Sequence, residues 1–109
     1  MDELDDEANP PMTFTILAQG GETTVVTING ELDIANIQGL EVALAPLIET
    51  RPARLVLDLG GVGFADSSAI ALLVRWATAV DELKLRDASP LLQKVIETMG
   101  LAGKLQLEP

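Results

Sequence analysis

A single α/β domain, with a mixed sheet of four to five strands covered by about three helices, is the fold class the sequence predicts. Three observations carry it. Segments that alternate with a period of two are interleaved with segments of helical period, in the order β-β-α-β-α-β-α-β. One segment, Arg54-Leu55-Val56-Leu57-Asp58-Leu59, is nearly continuous in apolar residues, the pattern of a central strand covered on both faces and parallel to a neighbour. The chain of 109 residues, 48% of them hydrophobic, can build one core but hardly two.

The elements follow in order. Residues 1–11 read as an acidic, solvated, flexible tail, with Asp2, Glu3, Asp5, Asp6 and Glu7 ahead of Asn9-Pro10-Pro11, and residues 12–109 as the domain. Thr13 to Leu17 alternates and carries β-branched and aromatic residues, so it predicts a strand. Gly20-Gly21 turns the chain into a second strand, Thr23 to Ile28, which Asn29-Gly30 ends. Asp33 then caps a helix with the stripe Ile37, Leu40, Leu44, Leu47 and Ile48, and Pro46 predicts a kink or an early end. After the continuous strand, Gly60, Gly61 and Gly63 form a loose link into a helix over 67–80 that is apolar almost all round. Leu83 to Asp87 alternates as a half-buried strand. Ser89 and Pro90 open a third helix whose stripe is Leu92, Val95, Ile96 and Met99, and Gly100 closes it. Lys104 to Leu107 completes the sheet.

Composition narrows the function. Neither cysteine nor histidine is present, which removes disulfides, thiolate metal sites, hydrolase triads and the commonest metal ligand. The longest unbroken apolar run, Ala69 to Val74, has six residues, against the roughly 20 needed to span a bilayer. The first residues are acidic, unlike a secretory signal. A net charge of −10 repels nucleic acid and anionic membranes and favours protein partners. The glycines at 60, 61 and 63 are not a phosphate loop, because no Lys-Ser/Thr follows them and the dinucleotide spacing is missing.

The segment Leu57 to Ile70 leads from the central strand into the apolar helix through Asp66-Ser67-Ser68. On their own these three residues read as a capped helix start. In context they resemble the signature of STAS domains, and of bacterial anti-sigma factor antagonists in particular, in which an aspartate-serine-serine-glycine-leucine motif opens this helix. Gly30-Glu31-Leu32-Asp33, Ala88-Ser89-Pro90 and Met99-Gly100-Leu101 also match, in the right order, across most of the chain from Thr13 to Leu107.

The resemblance implies a cytoplasmic bacterial protein of partner-switching signal transduction. Its phosphoacceptor would be Ser67, and its partner surface Asp33, Asp66, Ser67, Ser68 and Ala69. The partners implied are an anti-sigma factor serine kinase and a phosphatase, with no cofactor, no metal, no nucleic acid and no membrane insertion. The protein itself is expected to be a monomer or weak dimer and no enzyme. A phosphate at the helix start would meet amide donors and the positive end of the helix dipole, so the fold should tolerate it. Departures from the family are Ala69 and Ile70 in place of its glycine and leucine, a short link through Asp81-Glu82, and a chain ending at Pro109 before the family's final helix, which would leave part of one sheet face less covered. Two other readings stand beside this one. The first is a STAS accessory subunit of a lipid or anion transporter complex. The second is an enzyme using Asp33 and Asp66 as paired carboxylates on a metal.

Overall fold

The computed structural model describes residues 12–19, 22–101 and 103–108. It holds five strands, β1 (Thr13–Gln19), β2 (Thr23–Leu32), β3 (Arg54–Ala65), β4 (Glu82–Arg86) and β5 (Gln106–Glu108), and three helices, α1 (Ile37–Glu49), α2 (Ser67–Ala79) and α3 (Pro90–Thr98). The tail expected over residues 1–11 and the Gly20-Gly21 turn lie outside the described residues. Strand order in the single sheet follows chain order. β1 is antiparallel to β2 and every later pair is parallel, so α1, α2 and α3 are the crossovers.

Because each crossover steps to the next strand in the same direction, a common right hand places all three helices on one face. The core confirms it. Leu55, Leu57 and Leu59 of β3 join Val26, Ile28, Leu83 and Leu85 from the neighbouring strands, and Leu40, Leu44, Leu72, Trp76, Leu92 and Ile96 close over them from the helices. The other face is polar: Arg54 pairs with Glu82 at 2.9 Å, Lys84 with Glu82 at 3.7 Å and Arg86 with Glu108 at 2.9 Å. Val56 is buried there beside Lys84 of the adjacent strand, under charged side chains whose aliphatic stems shield apolar surface. β3 is thus covered by helices on one face only; on the other, Val56 and the paired Val25 are buried without a second layer, so the double cover its apolar run predicts is absent among the described residues.

Several boundaries differ from expectation. β2 and β3 do not stop at Ile28 and Leu59. They run on as a ladder to Leu32↔Ala65, with register shifts between Thr27 and Asn29 and between Gly30 and Glu31, each adding one residue on β3. The glycines read as a loose link are therefore strand residues. At Gly61 a Cβ would run into the Asn29 side chain on the paired strand, which would have to swing aside. Asp33 is not the cap of α1; Asn36 holds that position, without a side-chain cap bond. The helix also passes through Pro46 to Glu49. The carbonyl left without an N–H donor belongs to Val42, which is exposed, so water can serve it. α2 ends at Ala79 and β4 begins at Glu82, the short link expected. Gly100 has φ +73°, as a closing glycine should, but Met99 lies exposed at the helix end and not in the buried stripe.

Candidate functional site

The bulged extension of β2 and β3 is what builds the site. Leu32 and Ala65 are the last paired residues of the two strands, so the residues that follow them, Asp33 and Asp66, leave the sheet side by side. The Asp66 N–H donates to the Leu32 carbonyl at 3.0 Å and continues the tie for one more residue.

Asp66 is the N-cap of α2 and joins the two segments. Its Oδ1 accepts from the Ser68 N–H at 3.0 Å, the Ala69 N–H at 3.2 Å and the Ser68 hydroxyl at 2.5 Å. Its Oδ2 accepts from the Ile34 N–H at 3.1 Å. The Ser68 hydroxyl first, then the backbone N–H groups of Ala69, Ile34 and Ser68, hold the Asp66 carboxyl below its ordinary value. Asp33 has a more local role: its Oδ1 accepts from the Ala35 N–H at 3.0 Å, and its own N–H donates to Asn36 Oδ1 at 3.1 Å. Asn36 Nδ2 reaches back to the Glu31 carbonyl at 2.6 Å. Asn36 thus braces the turn beneath Ile34 and does not cap α1.

Ser67 is the first residue of α2, and it is exposed. Ser68 is half buried with its hydroxyl committed to Asp66, and Ala69 is fully buried in the core. The structure therefore brings Asp33, Asp66, Ser67 and Ser68 to one end of the domain and places Ala69 beneath it, where its methyl meets the core and not a partner. An alanine takes the place of the family's glycine without crowding the surface.

One expectation about the helix start changes. The first-turn amides of Ser68 and Ala69, the donors a phosphate would seek, are already taken by Asp66. A phosphate on Ser67 would arrive beside an ionised carboxylate that occupies its natural cradle.

Three exposed apolar side chains lie near this end, Ile34, Phe64 and Leu91, a fourth, Met99, stands farther along at the end of α3, and none of them was assigned to the site from the sequence. Their signal was present. Leu91 falls outside the buried stripe of α3, and Phe64 is a lone ring two residues before the cap. Between α2 and α3 runs an open groove of about 650 Å³, with Ser67 and Asp66 at one end, Ile70, Val74 and Val95 along it, and Met99 on its rim. A smaller hollow of about 120 Å³, lined by Phe64, Leu91 and Leu92, continues it through Ala65, Ile70 and Val95. Apolar surface gathered around one exposed hydroxyl suits a protein partner. Open α/β sheets hold small ligands where the strand order reverses, and this sheet has no reversal. Among the described residues no three acidic side chains converge on a point that could hold a metal, and no helix is long and apolar enough to cross a membrane.

Comparison with known proteins agrees with the geometry. The family model described as "Mlab, STAS domain" matches residues 16–108. Among solved structures, an anti-sigma factor antagonist from Mycobacterium paratuberculosis is similar at 24% identity and TM-score 0.81, over 91% of this chain and 86% of that one. The anti-sigma factor antagonist SpoIIAA in its unphosphorylated form is similar at 20% identity and TM-score 0.73, over 89% of each chain. The Bacillus cell fate determinant SpoIIAA in its phosphorylated form is similar at 20% identity and TM-score 0.70, over 89% of this chain and 92% of that one. No curated protein sequence matches. At these identities the solved structures establish the shared fold.

Proposed function

The chain belongs to the STAS domain family, and from that premise we propose that it is an anti-anti-sigma-factor-like regulator. Unphosphorylated, it binds an anti-sigma factor serine kinase in the cytoplasm and so frees a sigma factor for transcription; phosphorylated on Ser67, it is released until a phosphatase resets it. The observation that carries this reading is the placement of Ser67. Its residue is exposed at the first position of α2, at the mouth of an apolar groove and beside a carboxylate cap.

The mechanism follows from that placement. A phosphoserine brings about −1.5 to −2 charges. Asp66 already fills the amide cradle and stays ionised, so the new charge is thrust toward solvent and into the docking face. A partner that packs apolar side chains over Ile34, Phe64 and the α2–α3 groove must then desolvate a dianion. A loss of about tenfold or more in affinity is the expected result. The fold should change little, and the SpoIIAA neighbour offers a parallel, since its two forms match this chain with TM-scores of 0.73 and 0.70.

Incubation with ATP and candidate anti-sigma kinases, followed by mass mapping, tests the reading. Phosphate on Ser67, lost in Ser67→Ala, supports it; phosphate on another residue, with Ser67 untouched by every candidate kinase, contradicts it.

A second reading keeps the same surface but not the switch: Ser67, Asp66 and the α2–α3 groove would form the fixed contact of a constitutive STAS accessory subunit of a lipid or anion transporter complex. Co-purification with a membrane ATPase, at an affinity indifferent to Ser67→Asp, would select this reading over the switch.

A further inference from the structure

The two edges of the sheet are built differently. β5 is three residues long and ends on Glu108, whose carboxylate is held by Arg86 at 2.9 Å. A short, charged edge is one that resists pairing with another chain. β1 runs for seven residues, Thr13–Gln19, pairs with β2 in unbroken register, and is the one strand of the five without a charged side chain. It carries no proline and no bulge, and Ile16 and Leu17 stand 46% and 50% exposed, one on each face of the sheet. No described strand pairs with its outer side.

We propose that β1 is a self-association edge: two copies of this chain pair their β1 strands antiparallel across a two-fold axis and form a continuous ten-stranded sheet. The occupant is argued from charge. At −10 per chain, two copies repel each other over most of their surface, and an uncharged strand with unpaired backbone is where they can approach. Antiparallel strand pairing is self-complementary, as a two-fold contact requires. With the axis at Ile16, that side chain faces its own copy, and Leu17 faces Thr15 of the partner subunit. A strand of this length spans only about 23 Å. The contact is thus smaller than the roughly 1,200–2,000 Å² of a stable complex, and the dimer is weak, with a dissociation constant on the order of 100 μM. Salt strengthens it by screening the repulsion. The Ser67 end lies beyond β2 and β3 and remains open in both copies, so this inference is independent of the phosphoswitch.

Sedimentation equilibrium of the full chain, from about 10 μM to 1 mM at low and high salt, tests it. The mass should rise from one chain toward two, and rise further at high salt. Ile16→Lys should hold the mass at one chain with unchanged circular dichroism, whereas Val42→Lys, on the exposed side of α1, should dimerise like the parent. Leu17→Lys, which places a charge opposite Thr15 of the partner subunit, is the second variant should Ile16→Lys fail to fold. A single-chain mass throughout, association beyond two chains, or a dimer undiminished in both β1 variants would overturn the proposal.

Discussion

Two helix starts in this molecule use nearly the same residues for different ends. At α3, Ser89 is the cap: its Oγ accepts from the Leu92 N–H at 3.1 Å, and Pro90 follows in the first turn. At α2 the cap is Asp66, and the serine one step later, Ser67, is left exposed. One serine is consumed by the fold and the other is displayed by it. A serine becomes available for modification when a stronger acceptor does its capping, and the charge of that acceptor then makes the modification consequential.

The comparison can be broken from either side. The largest effect is expected at α2: Ser67→Asp should weaken binding to the anti-sigma kinase by about tenfold or more while leaving the melting temperature nearly unchanged, and the uncharged Ser89→Ala should leave affinity nearly alone. Titration calorimetry on both variants reads the difference. Next, Asp66→Ala removes a bond to the Ile34 N–H as well as the helix cap, so the tie between the β2–α1 turn and α2 goes with it. Its melting temperature should fall by roughly 4–8 °C, with proteolysis near Ile34 rising in step. Smaller still, Ser89→Ala should cost about 1 kcal/mol in denaturant unfolding, with no change in binding.

The smallest effect separates the caps by pH. The Asp66 carboxyl is held below its ordinary value of 3.8, so as pH falls the unfolded chain takes up this proton before the folded one does. Its contribution to stability is complete above about pH 5 and is lost progressively as pH falls through 3.8 and then through the lower folded value. Ser89 does not titrate. In thermal melts from about pH 7 to 3, the gap between the parent and Asp66→Asn should narrow below about pH 5, while the gap between the parent and Ser89→Ala should stay constant.

The same contrast shows what was legible in the sequence. α3 could be read almost whole because its signals are local: a serine cap, a proline after it and a glycine with positive φ at the end. β4 was legible because Leu83 and Leu85 alternate with charges. The site was readable only at its α2 half. Its other half depends on the bulged ladder that carries β2 to Leu32 and β3 to Ala65, and the glycines within that ladder look like a loop until the partner strand is known. Asp33 illustrates the limit: its spacing before Ile37 fits a cap, but Asn36 stands between them and its side chain bonds backward to Glu31 and to Asp33 itself. The helix does not take the early end that Pro46 allows for a related reason, since the cost of a proline depends on whether the orphaned carbonyl meets water, and that is a tertiary fact. Ala69 could be assigned to the surface from its motif; only the packing of α2 onto the sheet shows it buried.

The most direct test of the switch is the affinity of the same preparation before and after stoichiometric phosphorylation, measured against its anti-sigma kinase alongside the Ser67→Ala variant. A fall of about tenfold or more on phosphorylation, with Ser67→Ala binding like the unmodified protein, is the predicted result. Equal affinity in the two states would contradict it.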